Sequence, residues 1–169
     1  DAEGHLRSRT VNALSVLAIP YDVPIVGYGN KVTNTLRLWS AEPADEQLPN
    51  THDFAGYLSF VKDLTHGLYP DDSTEQGRLL RLRQQYFLVS AGMQSMLRAH
   101  YRRFYDFHNL PEHYVFQLND THPIMAIPEL MRLLMDEHNY GWDEAYEICQ
   151  KCFAFTNHTV MAEALEKWP

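Results

Sequence analysis

Two short apolar segments of the chain each run directly into a cluster of small polar residues that includes a histidine. Tyr114–Leu118 precedes Asn119–His122, and Cys152–Phe155 precedes Thr156–Thr159. Both apolar segments are typical of strands. Open α/β sheets place ligands where a strand ends in polar residues before a helix. The pattern therefore predicts an α/β fold, with strands alternating with helices, and a ligand site at these two junctions.

Apolar residues at helical spacing predict the helices. The expected helices are Phe54–Leu64, ended by Gly67, then Arg78–Arg103 as one helix or two, Pro128–His138, Trp142–Lys151, and Val160–Lys167, capped by Thr159. Polar, turn-forming residues predict surface loops at Tyr69–Gly77 and Asn109–Glu112.

The first fifty residues predict two strands. Ser15–Pro20 is an apolar run ending in proline, typical of a buried strand, and a turn-rich stretch through Pro24 and Asn30 follows it. Asn34–Trp39 alternates apolar and polar residues, as a strand does. Ala41–Thr51 is expected to be a polar loop.

Composition narrows the class of protein. With 45% hydrophobic and 21% charged residues among 169, the chain fits one soluble globular segment. Its net charge of -8 argues against nucleic-acid and acidic-membrane partners. There is neither an apolar run of the roughly 20 residues that a membrane helix needs nor a signal peptide, which favours a cytoplasmic protein. Asp1 at the start and the abrupt end at Pro169 favour an internal piece of a longer protein.

The only cysteines, Cys149 and Cys152, have a spacing that suits a redox pair or half a zinc site. No further pair of ligands completes a tetrahedral site, so no metal is expected. The simpler interpretation places both thiols one turn apart on the helix that begins near Trp142, packed as small apolar groups. A small metal or redox domain built on these two cysteines remains an alternative hypothesis.

The junction residues leave several chemistries open. Amide, carboxylate and imidazole groups are suited to binding sugar hydroxyls. Equally, Asp120 and Thr121 could cap the next helix while each histidine bonds a backbone carbonyl. Asp120 and Glu163 could also be the two carboxylates of a glycosidase. Motifs typical of serine hydrolases, P-loop nucleotide sites and dinucleotide sites are missing from the sequence.

Seven ordered blocks resemble the α-glucan phosphorylases, which act on glycogen, starch or maltodextrin. The run Asp71-Asp72-Ser73-Thr74 is most similar to bacterial members. The blocks are Leu17–Asp22, Asn34–Ser40, Leu68–Asp72, Leu80–Phe87, Gln117–Pro123, Ala126–Arg132 and Phe155–Pro169. The resemblance covers almost the whole chain from Val11 onward.

The resemblance implies a segment, residues 1–169, of the N-terminal lobe of a GT-B type glycosyltransferase fold, without the cofactor-bearing C-terminal lobe. It implies phosphorolysis of terminal α-1,4-linked glucose by inorganic phosphate in a homodimeric parent that carries pyridoxal 5'-phosphate. The cofactor's lysine would lie outside this chain, so the piece alone would be inactive. A non-catalytic glucan-binding module with the same fold is the alternative.

The resemblance also assigns site residues. Asn119, Asp120 and His122 would lie beside the glucosyl unit, and the main-chain carbonyl of His158 would face it. Arg81 would lie near the cleft, and Asp71, Asp72 and Ser73 would belong to a gating loop, Tyr69–Thr74.

Two departures from the family pattern affect the parent. Phe54–Leu64 looks shorter than the tower helix that helps to hold the family's dimer. Arg98-Ala99 stands where animal members carry an Arg-Arg pair in a nucleotide-activation site, which predicts weak or absent activation by AMP.

Overall fold

The computed structural model describes residues 8, 10–44 and 52–162 of the chain. The sequence predicts strands alternating with helices, and this alternation is limited to the second half, because two strands and then three helices come first. In chain order the elements are β1 (Val16–Val26), β2 (Thr33–Pro43), α1 (Phe54–His66), α2 (Glu75–Phe104), α3 (Leu110–His113), β3 (Phe116–Asn119), α4 (Ala126–Arg132), a π-helical turn (Leu133–Glu137), α5 (Trp142–Cys152) and β4 (Phe153–Thr156).

The chain divides into two compact units. The hairpin unit is Asn12–Leu88, and the core unit joins Val89–Pro169 to the start of the chain. The described residues form two small two-stranded sheets and a set of helices, so the expected mixture of strands and helices is confirmed. None of the described helices is both long and apolar enough to cross a membrane.

β1 and β2 form an antiparallel two-stranded ribbon in the hairpin unit. Its register runs from Val16 opposite Pro43 to Val26 opposite Thr33. The turn closes with a hydrogen bond from the Gly27 amide to the Val32 carbonyl, 2.8 Å long. Two-stranded ribbons are at best marginally stable in water by themselves. The ribbon therefore depends on the helix packed against β2.

The predicted end of the first strand at Pro20, and its predicted burial, are wrong. β1 continues through Pro24 to Val26, and most of its residues are exposed. Proline can stand in a strand where its missing N–H faces an unpaired edge. Pro20 and Pro24 are four positions apart, so their backbone nitrogens point to the same edge of β1. Among the described strands, β1 pairs with β2 alone, so its other edge accommodates both rings.

The hairpin unit has a small core where α1 meets β2. Its buried members are Ala41, Tyr57, Val61, Leu64 and Phe87. The Tyr57 hydroxyl donates to the Ser15 carbonyl and accepts from the Ala44 amide, each at 2.8 Å. Tyr57 thereby ties α1 to the chain beside both strands at the open end of the ribbon.

The C-terminal end of α1 is satisfied by a side chain from α2. The buried Gln84 amide donates to the carbonyls of Asp63, at 2.9 Å, and Gly67, at 2.8 Å. Helix ends leave carbonyls without intrahelical partners, so this single amide replaces two lost backbone bonds. The prediction that α1 ends at Gly67 is confirmed.

Helix α2 is one continuous helix, and Thr74 forms its N-terminal cap. The Thr74 hydroxyl accepts from the Gly77 amide at 3.0 Å and donates to the Asp71 carbonyl at 3.1 Å. The helix therefore begins at Glu75, three residues before the predicted start at Arg78, because a threonine side chain replaces a missing backbone partner.

The core unit is built from the second half of α2, α3, the two short strands, and the helices α4 and α5. Its fully buried side chains include Phe107, Leu110, Leu130, Leu133 and Leu134. α3 lies where the sequence predicts a loop, Asn109–Glu112. Its first residue, Leu110, is fully buried, and this burial stabilises a single helical turn that is too short for the periodicity to predict.

Glu129 is the buried charge of the core unit. Only 3% of it is exposed, and it accepts from the Ser90 hydroxyl at 2.7 Å and from Arg132 Nε at 2.8 Å. A buried carboxylate is stable only when it is paired and hydrogen-bonded. These bonds hold α4 against α2 directly after the predicted ligand site.

Two glycines of α2 give a matched test of the loop that precedes it. A Cβ on Gly77 would lie 1.8 Å from the Asp71 carbonyl oxygen, whereas a Cβ on Gly92 would have no such neighbour within 4 Å. We expect Gly77→Ala to lower the free energy of unfolding by about 1–3 kcal/mol, and Gly92→Ala to raise it by about 0.5–1 kcal/mol. Urea unfolding measures both, and equal effects would contradict the close approach at Gly77.

Candidate functional site

The two predicted junctions lie side by side. β3 and β4 pair in parallel, with Asn119 opposite Thr156 at their carboxyl ends. A further bond, from the Asp120 amide to the Thr156 carbonyl at 2.9 Å, continues the pairing past the last residue of β3. The strand ends expected to share a site are therefore adjacent. The predicted bounds of both strands were shifted by one or two residues.

The strands alternate between an apolar and a polar face. Leu118 is 4% exposed, and Phe116 packs on Phe153 with ring centroids 5.2 Å apart. Gln117 and Asn119 point to the opposite face, because successive side chains of a strand alternate. One face of this small sheet is thus anchored in the core, and the other presents polar groups.

Asn119 and His158 are brought together across the junctions. Asn119 Oδ1 accepts a hydrogen bond from His158 Nε2. This contact excludes the alternative in which His158 bonds a backbone carbonyl through that nitrogen. Asn157 Oδ1 in turn accepts from the Thr159 amide at 3.2 Å, which shapes the turn around the histidine.

Asp120 turns the chain away from the sheet. Its φ angle of 69° is left-handed, a region in which Asp and Asn are enriched among residues other than glycine. Its carboxylate accepts from the Thr121 amide at 2.7 Å. The capping alternative for Asp120 and Thr121 is wrong, because α4 begins only at Ala126 and its N-cap position is Met125.

His122 follows that turn and is exposed. Thr121 beside it has a buried hydroxyl without a hydrogen-bond partner among the described residues. The two junctions thus carry an amide, a carboxylate and two imidazoles, groups that suit vicinal hydroxyls. Glu163, the second carboxylate of the glycosidase hypothesis, lies outside the described residues, as does most of the predicted closing helix, Val160–Lys167.

The remaining predicted site residues belong to the hairpin unit. Arg81 is half-buried on α2. In the predicted gating loop, Asp71 accepts from the Ser73 amide at 3.0 Å, and the hydrogen bonds from Ser73 hold the pKa of the Asp71 carboxyl below its usual range. Tyr69 has a left-handed φ of 55°, and Asp72 is exposed.

Gln117 and Thr156, to which the sequence assigns no role, also lie close together at the junctions. Gln117 Nε2 donates to Thr156 Oγ1 at 2.6 Å. Part of the signal was present in the period-two alternation, which puts Gln117 and Asn119 on one face of β3. Only the register of the two strands shows that Gln117 meets Thr156.

The family model for carbohydrate phosphorylases matches residues 1–169. The chain belongs to the carbohydrate phosphorylase family. A glycogen phosphorylase of Synechocystis sp. is 47% identical over 99% of the chain and 20% of that relative's length. The cytosolic alpha-glucan phosphorylase 2 of Arabidopsis thaliana is 48% identical over 90% of the chain, again 20% of the relative. The brain-form glycogen phosphorylase of Bos taurus is 44% identical over 95% of the chain and 21% of the relative.

This phosphorylase chain therefore spans about a fifth of the length of these curated relatives. The three lysines among the described residues, Lys31, Lys62 and Lys151, are all exposed, and Lys151 is paired with Glu147 at 2.6 Å. A lysine that forms a Schiff base lies in a desolvating pocket and not on an exposed surface. These described lysines do not fit the attachment of pyridoxal phosphate.

The cysteines of the phosphorylase chain are buried in α5. Both are free thiols, and Cys152 is fully buried. Burial raises the pKa of Cys149 to about 12 and that of Cys152 to about 11. Among the described residues, no three His, Cys, Asp or Glu side chains cluster as a metal site requires. The interpretation of both thiols as small apolar groups of a helix is confirmed.

We expect both thiols to resist alkylation in the folded protein. The thiolate is the reactive form, and raising the pKa lowers its population at neutral pH. At pH 8, iodoacetamide should label the native thiols at least about a hundredfold more slowly than the urea-unfolded chain. Equal rates in the folded and unfolded chain would restore the redox-domain hypothesis.

Proposed function

We propose that this chain is part of an α-1,4-glucan phosphorylase, which releases terminal glucose as α-D-glucose 1-phosphate. The observation that carries the proposal is the family match over residues 1–169, with relatives named as glycogen phosphorylases in bacteria and animals. In the proposed reaction, the C1–O bond to the penultimate glucose breaks, and a phosphate oxygen forms the new bond to C1. The 4-oxygen of the penultimate glucose leaves as a hydroxyl, and the proton that it gains is the one lost by the attacking hydrogen phosphate.

The contribution of this chain would be one wall of the glucosyl pocket. The adjacent strand ends present Asn119, Asp120, His122 and His158, whose donors and acceptors would hold the hydroxyls of the terminal glucose. Arg81 would lie near the cleft, and the loop of Asp71, Asp72 and Ser73 would gate it. Holding the sugar in a fixed orientation converts part of the binding energy into rate.

The rest of the machinery would lie elsewhere in a longer polypeptide. The family resemblance implies a GT-B type fold whose N-terminal lobe contains this segment. Pyridoxal 5'-phosphate, held by a lysine outside this chain, would supply acid–base chemistry through its phosphate group. A cytoplasmic homodimer is the expected parent, acting without a nucleic-acid or membrane partner. The word "cytosolic" in the name of the Arabidopsis relative supports the compartment.

The test is release of glucose 1-phosphate from maltodextrin and phosphate by the full-length polypeptide that carries this chain. Asp120→Asn and His122→Ala should each lower kcat/KM by about a hundredfold or more, because each removes a group that orients the sugar. Asparagine tolerates the left-handed backbone at position 120, so the fold should be unaffected.

Exposed residues of the same types provide the controls. Asp63→Asn on α1 and His52→Ala before it should leave the rate within about twofold of wild type. Full activity in both site variants would remove the assignment of Asp120 and His122. Maltodextrin binding without glucose 1-phosphate release would instead support a non-catalytic glucan-binding module.

A further inference from the structure

The polar face of the β3–β4 sheet carries two side-chain rungs, one behind the other. The outer rung joins Asn119 to His158, and the inner rung joins Gln117 to Thr156 at 2.6 Å. Gln117 and Asn119 are two positions apart on β3, so their side chains leave the same face. Two consecutive rungs on one face form a continuous ladder of polar contacts.

Thr156 is bonded at two points to β3 and the residue that follows it. Its hydroxyl accepts from Gln117, and its main-chain carbonyl accepts from the Asp120 amide at 2.9 Å. The residue before the Asn157-His158 turn is therefore fixed to β3 by its side chain and by its backbone. A displacement of Thr156 would move Asp120 and His158 together.

We propose that Gln117 and Thr156 are positioning residues for the glucosyl site, and that their rung sets the relative placement of the two junctions. This inference rests on the proposed function. The inner rung is exposed, and an exposed neutral hydrogen bond contributes only about 0.5–1.5 kcal/mol to stability. Its loss should therefore disturb the site far more than the fold.

The apolar face explains why such a rung is needed. Phe116, Leu118 and Phe153 fix the sheet in the core, but they lie on the side away from the site. The strands are four residues each, so few backbone bonds define the angle between their ends. The side-chain rungs supply the missing constraint on the polar face.

The experiment uses the full-length polypeptide with two nearly isosteric variants that remove the rung, Thr156→Val and Gln117→Met. Each should lower kcat/KM for maltodextrin by about ten- to a hundredfold, because small misplacements of binding groups cost that much. The double variant should lose little more than either single one, since both remove the same interaction.

Two controls separate positioning from general damage. Thr156→Ser keeps the hydroxyl, and Gln150→Met makes the same change at an exposed glutamine of α5. Both should stay within about twofold of wild type, and the thermal midpoints of all variants should agree within a few degrees. Wild-type kinetics in Thr156→Val, equal losses in Thr156→Ser, or losses that follow thermal unfolding would each overturn the proposal.

Calorimetric binding of maltodextrin distinguishes this inference from the proposed function. If the wild-type polypeptide binds maltodextrin without releasing glucose 1-phosphate, phosphorolysis is refuted. The variants are then compared by their dissociation constants for maltodextrin instead of by kcat/KM. Weaker binding by Thr156→Val and Gln117→Met, with Thr156→Ser unchanged, would then still support positioning, and equal binding by all would overturn it. A wild type that neither binds nor reacts would refute both.

Discussion

The parallel pairing of β3 with β4 is the constraint on which the candidate site depends. Asn119 and Thr156 lie opposite each other at the carboxyl ends. They are 37 positions apart in the chain, so nothing local brings them together. The pairing is held from below by apolar side chains such as Leu118, whose burial contributes roughly 1.5–3 kcal/mol. Polar groups above the sheet can therefore remain exposed without loss of the fold.

Helix ends control the segments near the predicted site residues in both units. In the hairpin unit, the Thr74 cap and the close approach of Asp71 to Gly77 fold the predicted gating loop back onto the start of α2. In the core unit, the buried Glu129 holds α4 just after the Asp120 turn. Charged and polar groups thus fix the loop before α2 and the placement of α4.

The exposed apolar side chains of the β1–β2 ribbon are consistent with a chain that spans a fifth of its relatives' length. Leu17, Tyr21, Ile25 and Leu38 are all at least half exposed. Among the described strands, β1 pairs with β2 alone. Its free edge accommodates Pro20 and Pro24, which explains how this apolar run can form an exposed strand. The burial of the first strand was predicted from its hydrophobicity alone. Hydrophobicity does not show whether the surface that covers a strand lies within this chain or elsewhere in a longer polypeptide.

The sequence by itself determined the α/β class, the long helices, the strand-end clusters and the family, since periodicity and ordered motifs are local properties. It also identified the helical, buried state of Cys149 and Cys152. The start of α2 and the turn of α3 escaped prediction, because one hydroxyl cap and one buried leucine decided them. Tertiary structure alone decided that Asn119 meets His158 and that Gln117 meets Thr156. Such contacts depend on the register between distant strands, which no local pattern encodes.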